Sequence, residues 1–332
     1  MLRGRSQSGD SGAGRTWSGS DGEASEVVAM QAGADTGGAK ATPFDDLGTA
    51  VSVGEPLDHH TWLGLGGPAR YFCEPVDPEA LAAVVARCHS LDIPLRVIGG
   101  GSNVLVPTEG FEGMVVRLSS PAFCGIEIRR PSILAGAGAK LVHVVSAAVQ
   151  AGLSGLETLV DVPGTVGGAL VGNAGGRGGD IGQRVREVTV MLADGTVEAR
   201  AANRLAFEAR WSNLDDCIVL GCRLELDEES PDVLTKRMQK QWIIGRAEQP
   251  GGTRTVAMMF KDPLGTTAES LVAQAGGRDL RVGAASVYGL HANYVVAGPQ
   301  CTSEDVRGLV ERVRACVREK LGIELTPQIE VW

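Results

Sequence analysis

Long apolar runs are missing from this 332-residue chain. No 18 consecutive uncharged apolar residues occur, so no membrane-spanning helix is expected. An excess of positive charge is also missing: 31 Lys and Arg against 40 Asp and Glu leave a formal net charge of −9. A chain-wide basic footprint for nucleic acid is therefore excluded. Aromatic residues are scarce at 4%, which argues against base-stacking platforms. Paired cysteines are absent too. The seven, at positions 73, 88, 124, 217, 222, 301 and 316, include no C-x-x-C pair and are odd in number. Neither a zinc site nor a disulfide framework is expected, and reduced thiols in a cytoplasmic protein are the plain reading. The first residues lack the apolar run of a secretory signal.

What is abundant is glycine, 46 residues, much of it clustered. With 43% apolar and 21% charged residues, the composition is that of a soluble globular protein. Residues 1–43 are rich in Gly, Ser, Ala and Asp without apolar periodicity, and read as a disordered tail. Beyond them, helix signals alternate with short strands. Asp77-Pro78-Glu79 opens a helix. Residues 94–98 read as a strand running into glycines, and 188–192 and 196–201 as a hairpin around Ala193-Asp194-Gly195. A helix is expected over 231–246, followed by a Pro250-Gly251-Gly252 linker. The clearest helix covers 303–321, capped by Thr302 or Ser303 and ended by Gly322. Helices, strands and hairpins in this mixture indicate an α+β fold.

Two segments are candidates for chemistry. In the first, 98–106 (IGGGSNVLV), three glycines directly follow a strand. Their N–H groups, with the Ser102 and Asn103 side chains, suit an anion such as a pyrophosphate; a tight glycine turn is the alternative. The second, 163–182, holds nine glycines among small apolar residues. It suits close backbone approach to a flat ligand, or else a tightly packed turn region. It is read as a loop.

Further motifs follow in a fixed order: 135–139 (AGAGA), 152–157 (GLSGLE), 163–175 (PGTVGGALVGNAG), Phe260-Lys261-Asp262-Pro263, 281–285 and His291-Ala292-Asn293, with 61–69 (TWLGLGGPA) ahead of them all. Together they resemble the MurB family of FAD-dependent UDP-N-acetylenolpyruvoylglucosamine reductases, over about residues 57–332. The resemblance implies a two-lobed FAD-binding domain of the vanillyl-alcohol oxidase type over 44–225 and a smaller α+β substrate-binding domain over 226–332. It implies non-covalent FAD held by Gly99, Gly100, Gly101, Ser102 and Asn103, and by Pro163, Gly164, Thr165, Gly167, Gly168, Asn173, Ala174 and Gly175. NADPH would reduce the flavin, which then passes hydride to an enolpyruvyl UDP-sugar. Lys261 and Asp262 would face that substrate. No metal, membrane or nucleic-acid partner is implied, and a monomer is expected.

The catalytic positions show an asymmetry. Arg210, in 207–212 (FEARWS), matches the family's Arg that stabilises enolate-like charge. The family's proton donor, a Ser or Cys two residues before the Phe of F-K-N-P, is here Met258, which has no exchangeable proton. A family Glu is here Gln328, and the Arg two residues on is Glu330. Asp262 replaces an Asn, and an acid there repels a diphosphate unless a cation intervenes. Glu248 stands where some members carry Lys, and His291 is read as structural. If 328–332 is a strand, Glu330 shares a face with Gln328. Burial would then let it act as the missing acid. The resemblance thus points to a reductase with altered proton-donor positions. The alternatives are an FAD-binding homologue that has lost the reaction and a flavin oxidoreductase with another substrate.

Overall fold

The computed structural model describes residues 42–176, 178–248 and 255–332, which fall in one unit, Thr42–Trp332. The expected tail, apart from Thr42 and Pro43, and the Pro250-Gly251-Gly252 linker lie outside the described residues. Thr42 and Pro43 are fixed rather than tail-like. Thr42 bonds Asp45, and the Pro43 carbonyl accepts from Arg87. They hold Phe44, fully buried, edge-on against Tyr71.

The first sheet comprises β1 (Val51–Pro56), β2 (Pro68–Cys73), β3 (Leu95–Ile98) and β4 (Phe111–Arg117) in the order β1-β2-β4-β3. β1 is antiparallel to β2, and β2, β4 and β3 are parallel. Helix α1 (Pro78–Ser90) begins where the Asp77 side chain accepts from Ala80 N–H at 2.8 Å. It buries Leu81, Val84, Val85 and Cys88.

The second sheet is wholly antiparallel. It contains β5 (Ile126–Arg129), β6 (Ser132–Gly136), β7 (Val185–Met191), β8 (Val197–Ala201) and β9 (Ile218–Glu225), in the order β8-β7-β9-β6-β5. The turn of the expected β7–β8 hairpin places Gly195 at φ +86°. Helix α2 (Leu141–Gln150) packs an apolar face into the same core and ends before Gly152 at φ +69°. The glycine-rich segment is not a plain loop. It contains a short helix, α3 (Val166–Val171), capped by Thr165, whose side chain accepts from Gly168 N–H at 3.4 Å. Helix α4 (Pro231–Glu248) follows, with Leu234 buried.

The last sheet, β10 (Val256–Met258), β11 (Arg281–Val282), β12 (Ala285–Val287) and β13 (Tyr294–Ala297), is antiparallel in the order β10-β13-β12-β11. It packs with α5 (Ala268–Gln274) and α6 (Ser303–Leu321) around a separate core. Thr302 is the cap of α6. Its hydroxyl accepts from Asp305 N–H, and Asp305 returns a bond to Thr302 N–H. Of the apolar stripe Val306, Leu309, Val310, Val313, Cys316, Val317 and Leu321 that helical spacing predicts, all are buried except Cys316 and Leu321, which are half-buried.

The first core extends past residue 225. α4 packs against α2 and the Glu157–Leu159 turn, and Met238 lies against the first core. Leu63 and Leu105, far upstream, belong to the last core. We propose that the domain division follows α4.

Candidate active site

The first glycine cluster is placed by Ile98, the buried end of β3. A Cβ on Gly99 would stand 2.5 Å from the Thr165 hydroxyl, and one on Gly100 would stand 2.7 Å from Gly164 Cα. The two glycine segments therefore touch each other. Gly101, at φ +63°, sits directly beneath the His60 carbonyl. Only glycine satisfies both conditions there. By contrast, a Cβ on Gly164 or Gly168 would meet nothing closer than 3.3 or 3.7 Å. Their missing side chains leave an open backbone face.

α3 is docked by the backbone of the AGAGA segment: Val166 N–H donates to the Ala139 carbonyl at 2.9 Å and Gly167 N–H to that of Ala137 at 2.8 Å. Just beyond α3, Asn173 is only 2% exposed and adopts φ +37°. Its side chain donates to the Glu208 carbonyl at 2.8 Å and accepts from Gly182 N–H at 3.1 Å. Ser212 Oγ donates to the Val171 carbonyl at 2.9 Å. Together these bonds anchor the hairpin Phe207–Glu208/Trp211–Ser212, whose two-residue turn carries Arg210 at φ +57°. Asn173 thus helps to position Arg210 while it also lines the cavity.

Burial pushes the Arg210 guanidinium below its ordinary value, and Asp262, Tyr294, Asp180 and Asp161 oppose that shift. The side chain is a cation partly withdrawn from water among acidic neighbours. Asp262 also accepts from Ala268 N–H, the first residue of α5, at 2.8 Å, so part of its charge serves the helix start.

The opposite wall is the β10 edge of the last sheet. Met258 pairs directly with Tyr294 of β13. Asn293, 1% exposed, clamps the next turn of chain: it accepts from Phe260 N–H at 3.0 Å and donates to the Phe260 carbonyl at 2.8 Å. Gln328 N–H donates to the Met259 carbonyl, and Asn103 Nδ2 donates to the Gln328 carbonyl at 2.9 Å. One Asn103 amide hydrogen therefore ties the C-terminal segment to the glycine loop instead of facing an anion. His291 accepts from Asn293 N–H at 3.4 Å and sets its ring edge-on to Tyr294 at 5.0 Å.

The strand expected at the C-terminus is only Glu330–Val331, parallel to Val104–Leu105. The Glu330 side chain is 54% exposed and lies 4.0 Å from Arg96. The burial that would make it an acid near neutrality is not there, and its carboxylate is ion-paired at the rim.

A single cavity of about 2220 Å³ is lined by all of these parts. Both glycine segments, Arg210, Met258, Lys261, Asp262, Gln328 and Glu330 border it, and so do Asp161, Asp180, His291 and Tyr294. It exceeds an ordinary small-molecule pocket of roughly 300–1,000 Å³, and accommodates a large cofactor together with a second ligand. The residues fit FAD: the glycine faces offer backbone N–H groups and no side chains. Cys124 also lines the cavity, but burial raises its pKa and its thiol bonds to the Ser119 carbonyl, so it offers no thiolate for attachment. Among the described residues, no cluster of side chains suits a metal ion, and no helix is long and apolar enough to cross a membrane. Tyr294, Asp161 and Asp180 had no local sequence signal; only the sheet register and the chain's return bring them here.

Residues 69–199 match the FAD binding domain family, and residues 249–332 match the UDP-N-acetylenolpyruvoylglucosamine reductase C-terminal domain. A UDP-N-acetylenolpyruvoylglucosamine reductase from Rhodopirellula baltica is 38% identical over 87% of this chain and 94% of its own. One from Bacillus subtilis is 30% identical over 85% and 93%. The crystal structure of the Thermus caldophilus reductase (MurB) superposes with a TM-score of 0.73 at 35% identity, covering 86% of this chain and 98% of that one. With two motif-bearing loops, the cavity they form and this likeness over most of its length, the chain belongs to the UDP-N-acetylenolpyruvoylglucosamine reductase family, MurB.

Proposed function

We propose that the chain reduces the enolpyruvyl group of UDP-N-acetylglucosamine enolpyruvate to the lactyl ether of UDP-N-acetylmuramate, with NADPH as electron source, in the cytoplasm and as a monomer. The observation that carries this reading is the placement of Arg210. It is held by Asn173 and Ser212 in one cavity with the glycine faces and the β10 edge.

Gly99 to Ser102, Pro163 to Thr165 and Gly168 would hold FAD along their backbone. FAD supplies the hydride, which no side chain can accept or store. The chain's own work is then positional and electrostatic. Arg210 meets the negative charge that develops on the substrate after hydride addition, and its partial burial strengthens that interaction. Lys261 extends from the segment clamped by Asn293 and offers a cation to the diphosphate. Met258 and Gln328 border the same space without an ionisable group, so the proton comes from neither of these side chains.

The test is anaerobic stopped-flow of the FAD-loaded protein. NADPH should bleach the flavin, and the enolpyruvyl substrate should restore its colour. Failure of that substrate to reoxidise NADPH-reduced flavin would overturn the reading in favour of a homologue without this activity.

A further inference from the structure

Resting on that reading, we propose that Tyr294 is the proton donor that completes the reduction, in place of the hydroxyl that Met258 lacks. Met258 and Tyr294 are direct partners in the antiparallel β10–β13 ladder, so their side chains leave the sheet on one face, with Cβ atoms about 4.5–5.5 Å apart. Both line the cavity. A donor at either position serves the same region.

The chemistry suits the exchange. A phenol, with an ordinary pKa of about 10, is a stronger acid than an aliphatic hydroxyl. After hydride addition to one carbon of the enolpyruvyl double bond, the electron pair of that bond resides on the carbon bearing the carboxylate, as an enolate. Tyr294 Oη–H gives its proton to that carbon, the new C–H bond forms, and the O–H electron pair stays on the phenolate. Water entering the cavity returns the proton. Arg210 lines the same cavity and is the cation there that a phenolate at Tyr294 would favour. One cation therefore serves the enolate and then the phenolate.

Two other titratable groups of the cavity, Glu330 and His291, are less well placed. Glu330 is paired with Arg96 at the rim. His291 stands on the turn before β13, accepts from Asn293 N–H, and presents its ring to Tyr294, where it orients the phenol ring. Among the charged and titratable groups that share the cavity with Tyr294 are His291 on its own turn, and Arg210, Asp262, Asp180 and Asp161.

The experiment compares wild type and Tyr294→Phe as FAD-loaded proteins in the two half-reactions. Flavin reduction by NADPH should be unchanged, while reoxidation by UDP-N-acetylglucosamine enolpyruvate should slow by about 10²–10⁴-fold, the usual worth of a general acid. Binding of that substrate to oxidised flavoprotein, read from the flavin spectrum, should be retained. The wild-type reoxidation rate should fall on an alkaline limb that Tyr294→Phe lacks. An unaltered reoxidation rate, equal slowing of both half-reactions, or loss of substrate binding in step with the rate overturns the donor role. Wild type that is reduced but never reoxidised by this substrate fails the reductase reading itself, and this proposal with it.

Discussion

Arg210 occupies the left-handed region at φ +57°, which costs an ordinary L-residue about 1–2 kcal/mol. The hairpin turn tolerates this because Asn173 and Ser212 fix both its strands. Strain of this kind at a residue whose guanidinium enters the cavity is a reason to place catalysis there. Arg210→Gln should retain FAD and lower substrate-driven reoxidation by about 10²–10³-fold, the worth of one electrostatic stabiliser of developing charge. Flavin absorbance and single-turnover traces would show both. Met258→Ser should act in the opposite direction, restoring a hydroxyl on the shared face. Its gain should be larger in the Tyr294→Phe background, where it is the sole donor of the pair. An equal gain in both backgrounds would mean that residues 258 and 294 do not share a task.

Elements explain why two glycine clusters recur so far apart in sequence. Gly100 packs against Gly164, and a Cβ there must push the segments apart by displacing backbone rather than a flexible side chain. Overpacking of this kind costs about 1–3 kcal/mol. Gly100→Ala should weaken FAD binding by roughly tenfold or more, as read by flavin fluorescence titration. Gly289→Ala, with nothing within 4 Å of the new Cβ, should leave it unchanged. In the last core, Thr302→Ala removes the α6 cap and should cost about 1 kcal/mol in denaturant unfolding without changing flavin reduction.

Local signals of this kind were the legible part. Asp77 and Thr302 cap the helices their sequences announce, and Gly195 makes the turn its dipeptide announces. α3 was hidden because glycine disfavours helix by about 1 kcal/mol per residue, and its helicity comes from docking on Ala137 and Ala139. The site was legible as motifs but not as geometry. That Asn173 would hold the Arg210 hairpin, that Tyr294 would face Met258, and that Arg96 would take the Glu330 carboxylate depend on contacts between residues distant in sequence.

At the scale of the whole molecule, α4 is the last element on the first core before the chain reaches the final sheet. Its attachment centres on Glu157, 3% exposed. The Glu157 carboxylate accepts from Gly155 N–H at 2.7 Å and from Arg237 of α4 at 2.5 Å, and Arg237 also pairs with Glu229 at 2.8 Å. Burial alone would raise the Glu157 pKa, but the Gly155 N–H and the Arg237 guanidinium outweigh it and hold the carboxyl below its ordinary value of 4.5. A carboxyl lowered by folding stabilises the folded state at pH values above its unfolded pKa, and that contribution is lost as pH falls through the folded one. Glu157→Gln should therefore unfold more easily than wild type near neutrality. The loss should lie near the lower end of the roughly 1.5–3 kcal/mol range for hydrogen bonds to charged groups. Arg237 is 40% exposed and keeps Glu229, which limits the damage. As pH falls through the folded-state value, below 4.5, wild type protonates Glu157 and forfeits the same interaction, so the two proteins should converge. Urea midpoints for both, taken from neutrality down to the onset of acid unfolding, give the comparison. A gap that stays constant over that range would mean that Glu157 stabilises the α4 junction through shape and neutral hydrogen bonds, not through its charge.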